Sequence, residues 1–239
     1  MLAVTEKETL VLDIGGTHVK VYATGHRKPV KIVSGAAMTP KKMVKDVLAL
    51  IDGWRYDVVS IGYPGPVVRG RPLRDPVNLG NGWVGFDFQK AFGRRVKIIN
   101  DAAMQALGSY RGGSMLFLGL GTGLGSALII DDVIEPMELA HLTYKKGKTF
   151  EEYLGAAALK RRGKKKWVKS VFDVVAQLKE ALQADYVVLG GGNVKRLRAL
   201  PSGTFRGDNE NAREGGFRVW NRRNSQWQKT WKKDIPAYV

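Results

Sequence analysis

Three glycine clusters and one aspartate are the parts of this sequence most able to do chemistry. The clusters are Asp13-Ile-Gly-Gly-Thr17, Gly119-Leu-Gly-Thr-Gly-Leu-Gly125 and Gly190-Gly-Gly-Asn193, each following a short apolar run. Glycine lets the backbone take positive φ and approach a ligand with no Cβ in the way. Successive N–H groups in such turns converge into an anion cradle. One glycine turn is usually only a turn; three at strand ends, two of them holding a Thr hydroxyl, point to bound phosphate. Asp101 follows the apolar run 96–100 and opens a helix, so its carboxylate is expected to project from a strand end. On position alone, a helix N-cap explains it at least as well.

Other phosphate and catalytic motifs fail. A G-x-G-x-x-G frame opened at Gly121 meets Ser126, and one opened at Gly119 meets Leu124, so this glycine cluster does not carry a dinucleotide fingerprint. Gly147-Lys-Thr149 imitates the end of a Walker A loop, but Leu142 stands at the first glycine position and no apolar strand leads into it. Neither H-E-x-x-H nor G-x-S-x-G occurs.

The elements that must carry these residues alternate in type. Apolar alternation predicts a hairpin of strands 9–14 and 18–23, then a helix over 41–51 with one buried stripe. Strands are expected at 57–61 and 96–99, with a helix at 102–110. Strands 115–120 and 126–130 follow, the latter ending in an Asp131-Asp132 turn. Helices at 150–160 and 167–182 precede a strand at 186–189. This order predicts an α/β protein of two successive mixed halves: residues 1–100, and residues 101–220 with the last helix packing back on the first half. Residues 221–239 form a basic, Trp-bearing tail that fits neither.

Composition narrows the field. Hydrophobic residues make up 44% of the 239, enough for a sizeable core, and the absence of cysteine removes disulfides, thiolate metal sites and cysteine catalysis together. The polar start, MLAVTEKETL, does not read as a signal peptide, and no apolar run reaches the roughly 18 residues of a membrane span. A soluble, cytoplasmic chain is expected. The formal charge of +17 is uneven: residues 145–170 hold ten basic residues and two acids. Such a field suits a polyanionic partner, though a solvated helix face explains it equally.

Taken together, Asp13-Ile-Gly-Gly-Thr17, Pro64-Gly65, Asn100-Asp101, Gly119 to Gly125, Glu138-Leu-Ala-His141 and Gly190 to Gly192 stand in the order found in the ROK family of sugar kinases. The resemblance spans about residues 9–220 and is strongest to the family's polyphosphate/ATP glucokinase branch. It implies an actin-like (ribonuclease H-like) fold of two α/β lobes with the active site in the cleft between them. It also implies a kinase that phosphorylates the 6-hydroxyl of glucose or a related hexose.

Position by position, Asp101 matches the family's catalytic base. Asn78, Asn100, Glu138, His141 and Glu151 match residues that hold the sugar. The turns Gly15, Gly16, Thr17 and Gly121, Thr122, Gly123 match the phosphate loops, and Gly190, Gly191, Gly192 and Asn193 match the nucleoside side. Mg²⁺ would accompany the donor, with Asp13 the carboxylate nearest it. The cysteine cluster that holds zinc in many members is missing, so no zinc site is expected. Ala140 stands where the family usually has Gly, and its methyl is expected to crowd the sugar loop slightly. Lys160, Arg161, Arg162, Lys164, Lys165 and Lys166 would draw in polyphosphate, with ATP as the other donor.

Family members are often dimers, so a homodimer is in view. Some ROK proteins are repressors that carry a helix-turn-helix ahead of this fold. Here the first core strand begins near Thr9, and nucleic acid is disfavoured as a partner. A nucleic-acid binder or sugar-responsive regulator without kinase activity is the alternative.

Overall fold

The apolar alternation from Thr9 folds as a pair of strands, β1 (Thr9–Ile14) and β2 (His18–Ala23), antiparallel with Asp13 opposite Lys20. The computed structural model describes residues 7–208 and 210–220. The tail expected over 221–239 lies outside the described residues. After β2 come β3 (Val30–Val33), α1 (Pro40–Leu50), β4 (Val58–Tyr63), a small hairpin of β5 (Val67–Val68) and β6 (Arg71–Pro72), α2 (Phe88–Phe92) and β7 (Arg95–Asn100). Local chemistry starts α1: the Thr39 hydroxyl accepts the Lys42 amide at 3.3 Å, and Pro40 fills the first turn. Met43, Val44 and Val47 then face inward.

The second half follows α3 (Asp101–Ser109). It runs β8 (Ser114–Leu120), β9 (Leu124–Ile130), β10 (Val133–Met137), a hairpin of β11 (Thr143–Lys145) and β12 (Lys148–Thr149), α4 (Phe150–Leu154), α5 (Ala156–Ala181), β13 (Tyr186–Gly190), β14 (Thr204–Arg206) and α6 (Asn211–Arg218).

Two five-stranded sheets result, ordered β3-β2-β1-β4-β7 and β10-β9-β8-β13-β14. Both follow one plan: three antiparallel strands, then parallel strands added beside the first. Each sheet has its own apolar core. The first gathers Leu10, Leu12, Val59, Ile61 and Trp83, and the second gathers Leu116, Leu118, Trp167, Val171 and Leu189. Burying a side chain of this size stabilises by about 1.5–3 kcal/mol.

Two compact units divide the chain. The first reaches to Asp101 and takes in the chain from Gly216; the second is Ala102–Gly215. Within the second, Gly108 of α3 and Gly215 of α6 bring two helix backbones together. A Cβ on Gly108 would strike the backbone of Asn211, and one on Gly215 the backbone of Met104. Within the first, Gly216 lies against the Val11 side chain with no room for a methyl. Its carbonyl accepts the Ser60 hydroxyl at 2.6 Å, and that hydroxyl accepts the Trp220 indole N–H at 2.9 Å.

The basic stretch differs from expectation. Helices foreseen at 150–160 and 167–182 are instead a short α4 and a long α5 broken at Gly163, whose φ of 75° and ψ of 158° are not helical. The Walker-like Gly147-Lys-Thr149 forms the end of the β11–β12 hairpin. Thr149 caps α4 in a reciprocal box with Glu152.

Candidate active site

In the first unit, β1, β4 and β7 are parallel, and their carboxyl ends carry Gly15, Pro64 and Asp101 in turn. Ligands of open α/β sheets sit at such ends. The register sets Asp13 level with Gly62, and Gly62 level with Ile99. Asp101 therefore stands two strands across from Asp13 and two residues further along. It is half-buried in the first turn of α3, where amide dipoles stabilise negative charge. Next to it, the Asn100 side-chain amide donates to the Gly65 carbonyl at 3.1 Å.

The first glycine turn is held from beneath. The Gly15 amide donates to the His18 carbonyl at 3.0 Å, and the Ser34 hydroxyl donates to the Gly15 carbonyl at 2.6 Å. Gly16 and Thr17 are exposed. Among the described residues their amides meet no protein acceptor. A Cβ on Gly16 would come within 3.2 Å of the Asn78 Cβ, so Asn78 stands directly beside this turn.

Asn78 owes its place to its neighbours. Asp75 accepts the amides of Gly82, Trp83 and Val84 at 3.1, 2.8 and 3.2 Å. These bonds hold its carboxyl below the usual range, those from Gly82 and Trp83 most strongly. The Tyr63 hydroxyl donates to the Arg74 carbonyl at 2.7 Å, and burial pushes that phenol up. Asp13 is buried and pairs with Lys20 at 3.1 Å.

In the second unit, the β8–β9 hairpin ends in the Gly121–Gly123 turn, the topological counterpart of Gly15–Thr17. Its carbonyls are occupied: Gly121 accepts the Ala156 amide at 3.2 Å and the Asn193 side-chain amide at 2.9 Å, and Thr122 accepts Ala156 at 3.0 Å. Its outer amides are not, because among the described residues Thr122 and Gly123 N–H find no protein acceptor.

Parallel pairing of β8 with β13 sets Gly119 beside Gly190, so the third glycine cluster lies at the same end. Gly191 has φ 82° and packs on the Leu120 backbone so closely that no Cβ fits. Asn193 is thus a brace, its own amide donating to the Leu120 carbonyl at 2.9 Å while its side chain holds Gly121. Glu151 joins this group, one carboxylate oxygen accepting the Leu124 amide at 3.1 Å.

Glu138 caps and His141 ends a 3-10 turn held to β9 by Ser126, whose hydroxyl donates to the Met137 carbonyl at 2.8 Å and accepts the Leu139 amide at 3.2 Å. Both side chains are exposed and approach each other at 4.0 Å. Ala140 lies between them but is buried in the second core. Its methyl packs inward rather than crowding the loop.

The hairpin that follows is pinned to α5. Asp173 accepts the Tyr144 hydroxyl and, at 2.5 Å, the Lys145 ammonium. These two partners hold the Asp173 carboxyl below its usual range. Among the basic residues, Lys160, Lys164, Lys165 and Lys166 are exposed. Arg161 donates to the Glu152 carbonyl at 2.8 Å, while Arg162 donates to the Ser170 hydroxyl at 2.8 Å and lies over the Tyr153 ring.

Of the residues expected from sequence, the structure brings Asn78 to the Gly15–Thr17 turn and Glu151 and Asn193 to the Gly121–Gly123 turn, while Glu138 and His141 stand together on their own turn. Sequence reasoning missed Ser34, Lys20, Asp75 and Ser126, which are supports rather than motif residues and carry no spacing signal. Among the described residues no group of three His, Asp or Glu side chains would hold a metal ion by protein ligands alone. A Mg²⁺ that arrives with phosphates and waters needs only one or two carboxylates, and Asp13 fits that smaller demand.

Comparison with known proteins agrees with the resemblance read from the motifs. The chain is 28% identical over 216 residues to a polyphosphate glucokinase of Mycobacterium tuberculosis, covering 80% of this chain and 79% of that one. Among solved structures it matches an inorganic polyphosphate/ATP-glucomannokinase of Arthrobacter sp. strain KM with a TM-score of 0.73, 24% identity and coverage of 88% and 97%. It also matches a ROK family glucokinase of Streptomyces griseus, solved with glucose and AMPPNP, with a TM-score of 0.68, 16% identity and coverage of 89% and 98%. No family model matches the chain. The fold is that of the ROK sugar kinases, actin-like as the sequence led one to expect.

Proposed function

We propose that the chain is a hexokinase-type phosphotransferase that moves a phosphoryl group from inorganic polyphosphate or ATP to the 6-hydroxyl of glucose or a related hexose. The observation that carries this reading is a pair of corresponding glycine turns, each with two adjacent amides that meet no protein acceptor among the described residues. Phosphate oxygens are the partners such amides suit. A pure sugar-binding protein needs neither turn.

Phosphoryl transfer asks for an activated nucleophile and for neutralised charge on the moving group. Asp101 accepts the hydroxyl proton as the sugar oxygen bonds to phosphorus and the bond to the departing phosphate breaks. The pair of electrons leaves with that phosphate, and the proton stays on Asp101. Asn78, Asn100, Glu138, His141 and Glu151 orient the sugar by hydrogen bonds, and a wrong epimer leaves some of them unpaired. The amides of Gly16, Thr17, Thr122 and Gly123 hold donor oxygens. Mg²⁺, when bound near Asp13, supplies further positive charge to the phosphates.

Polyphosphate as donor is supported by the break in α5. At Gly163 a new helix start is made, and Lys164, Lys165 and Lys166 occupy its first turn. Cations there oppose the helix dipole, an arrangement that a polyanion relieves.

The test is a coupled assay of glucose, mannose and N-acetylmannosamine against ATP, GTP and polyphosphate. Turnover with glucose and polyphosphate or ATP is expected. Asp101→Asn should lower kcat by on the order of 10²–10⁴, the usual share of a general base. Wild-type turnover in that variant would remove Asp101 from the mechanism. Failure of every donor with every sugar would remove the kinase.

A further inference from the structure

We propose that the first unit carries an additional anion site around Trp220, at the end of its sheet away from the glycine turns, and that this site takes an inorganic phosphate chain. The side chains of Lys97, Arg95 and Lys7 lie 4.7, 5.3 and 5.4 Å from the Trp220 ring centroid. Arg95 opens β7 and Lys7 precedes β1, whereas Asp101 and Gly15 follow the opposite ends of those strands. The cluster is therefore separate from the residues assigned to transfer.

Among the described residues no acid pairs with these cations, and the neighbouring Asp57 instead accepts the Glu8 amide at 3.0 Å. Lys97 records the strain: burial, then the charges of Lys7 and Arg95, lower its pKa to about 8. It is also fixed, donating to the Val219 carbonyl at 2.9 Å. Like charges held together against their repulsion are relieved by a multivalent anion.

The state of the indole selects the kind of anion. Single-stranded nucleic acid is bound by stacking bases on open aromatic faces. Here the indole N–H is committed to buried Ser60, and cations lie over the ring. Three charges fanned around one ring suit an anion of several phosphates better than a single one. The choice of an inorganic chain rests on the donor reading above; the existence of an anion site does not.

The test uses the full chain and long-chain inorganic polyphosphate. In the wild type, labelling by an amine-reactive reagent at pH 8, read by peptide mass spectrometry, should fall several-fold at Lys97 when polyphosphate is added. It should stay level at Lys41 and Lys45, exposed on α1. Unchanged labelling at Lys97 overturns the site. Equal protection by oligothymidylate overturns the choice of an inorganic chain.

In a second arm, Lys7→Gln with Arg95→Gln should weaken polyphosphate binding roughly tenfold and flatten its salt dependence by about one to two charges. Lys41→Gln with Lys45→Gln, which removes equal charge, should change it less than twofold. Equal losses in both double variants overturn the proposal, since net charge alone would then explain binding. Protection of Lys97 without polyphosphate-driven phosphorylation supports this site and sinks only the donor reading. ATP-driven turnover should be unchanged by the Lys7 and Arg95 substitutions.

Discussion

Gly123→Ala tests whether the second glycine turn and Glu151 act as one piece. The new Cβ would collide with a Glu151 carboxylate oxygen and stand 3.1 Å from its Cδ; the three nearest atoms all belong to Glu151. Gly123 is not in the left-handed region, so the backbone itself accepts alanine. The side chain must swing away, and with it goes the 3.1 Å hydrogen bond from the Leu124 amide. A bond to a charged group contributes about 1.5–3 kcal/mol, and solvent at this half-buried site reduces the loss to the lower end of that range. Urea denaturation should therefore show a loss of about 1–2 kcal/mol.

Kinetics should show a larger change in KM for the sugar than in kcat, because Glu151 is assigned to the sugar. The decisive comparison is a cycle with Glu151→Ala. Once Glu151 is gone the added methyl has no near neighbour, so the double variant should match Glu151→Ala in both stability and KM. Additive losses would refute the reasoning, as would a Gly123→Ala protein identical to wild type.

Other expectations follow from contacts already described. Ser60→Ala leaves the Trp220 N–H and the Gly216 carbonyl without their shared partner and should cost about 2–4 kcal/mol in urea unfolding; a loss under about 0.5 kcal/mol would show that water replaces it. Asp173→Asn should speed tryptic cleavage at the 145–148 hairpin and lower Tm. Because the folded-state pKa of Asp173 is depressed, its contribution is complete above the ordinary Asp value of about 3.9 and fades as pH falls through the lower folded value. The wild type and the variant should therefore converge in Tm in acid, and a gap that persists there would point elsewhere. Gly215→Ala should unfold the protein at 37 °C or lower Tm by more than any other single change here, since its methyl meets Met104 backbone rather than a movable side chain.

Much of the fold was legible because apolar alternation is a direct image of burial. The bounds of β1 and β2 were read as they stand, and α1, β4 and β7 to within two residues. The misses have local causes. The hairpins β5–β6 and β11–β12 turn on Arg69-Gly70 and Lys146-Gly147, all four at positive φ, and such short, charged pairs bury too little to leave a hydrophobic pattern. α5 hides its continuity because residues 160–166 contain no apolar side chain at helical spacing. β14, only three residues long, exists by pairing with β13 across a long sequence gap.

At the site, glycine turns and Asp101 are visible because their chemistry is written in residue type. That the Asn193 side chain also holds Gly121 was not legible, because a brace of that kind depends on which loops meet in space.

The return of the chain to its first unit at Gly216 bears on how the protein is made. A ribosome releases the strands that include Val11 and Ser60 long before it releases the residues that cover them. The earliest sheet must wait, with an open seam, until residues from 216 onward have been made. A nascent chain stalled short of position 216 should stay sensitive to protease in its opening strands even after the second unit has closed.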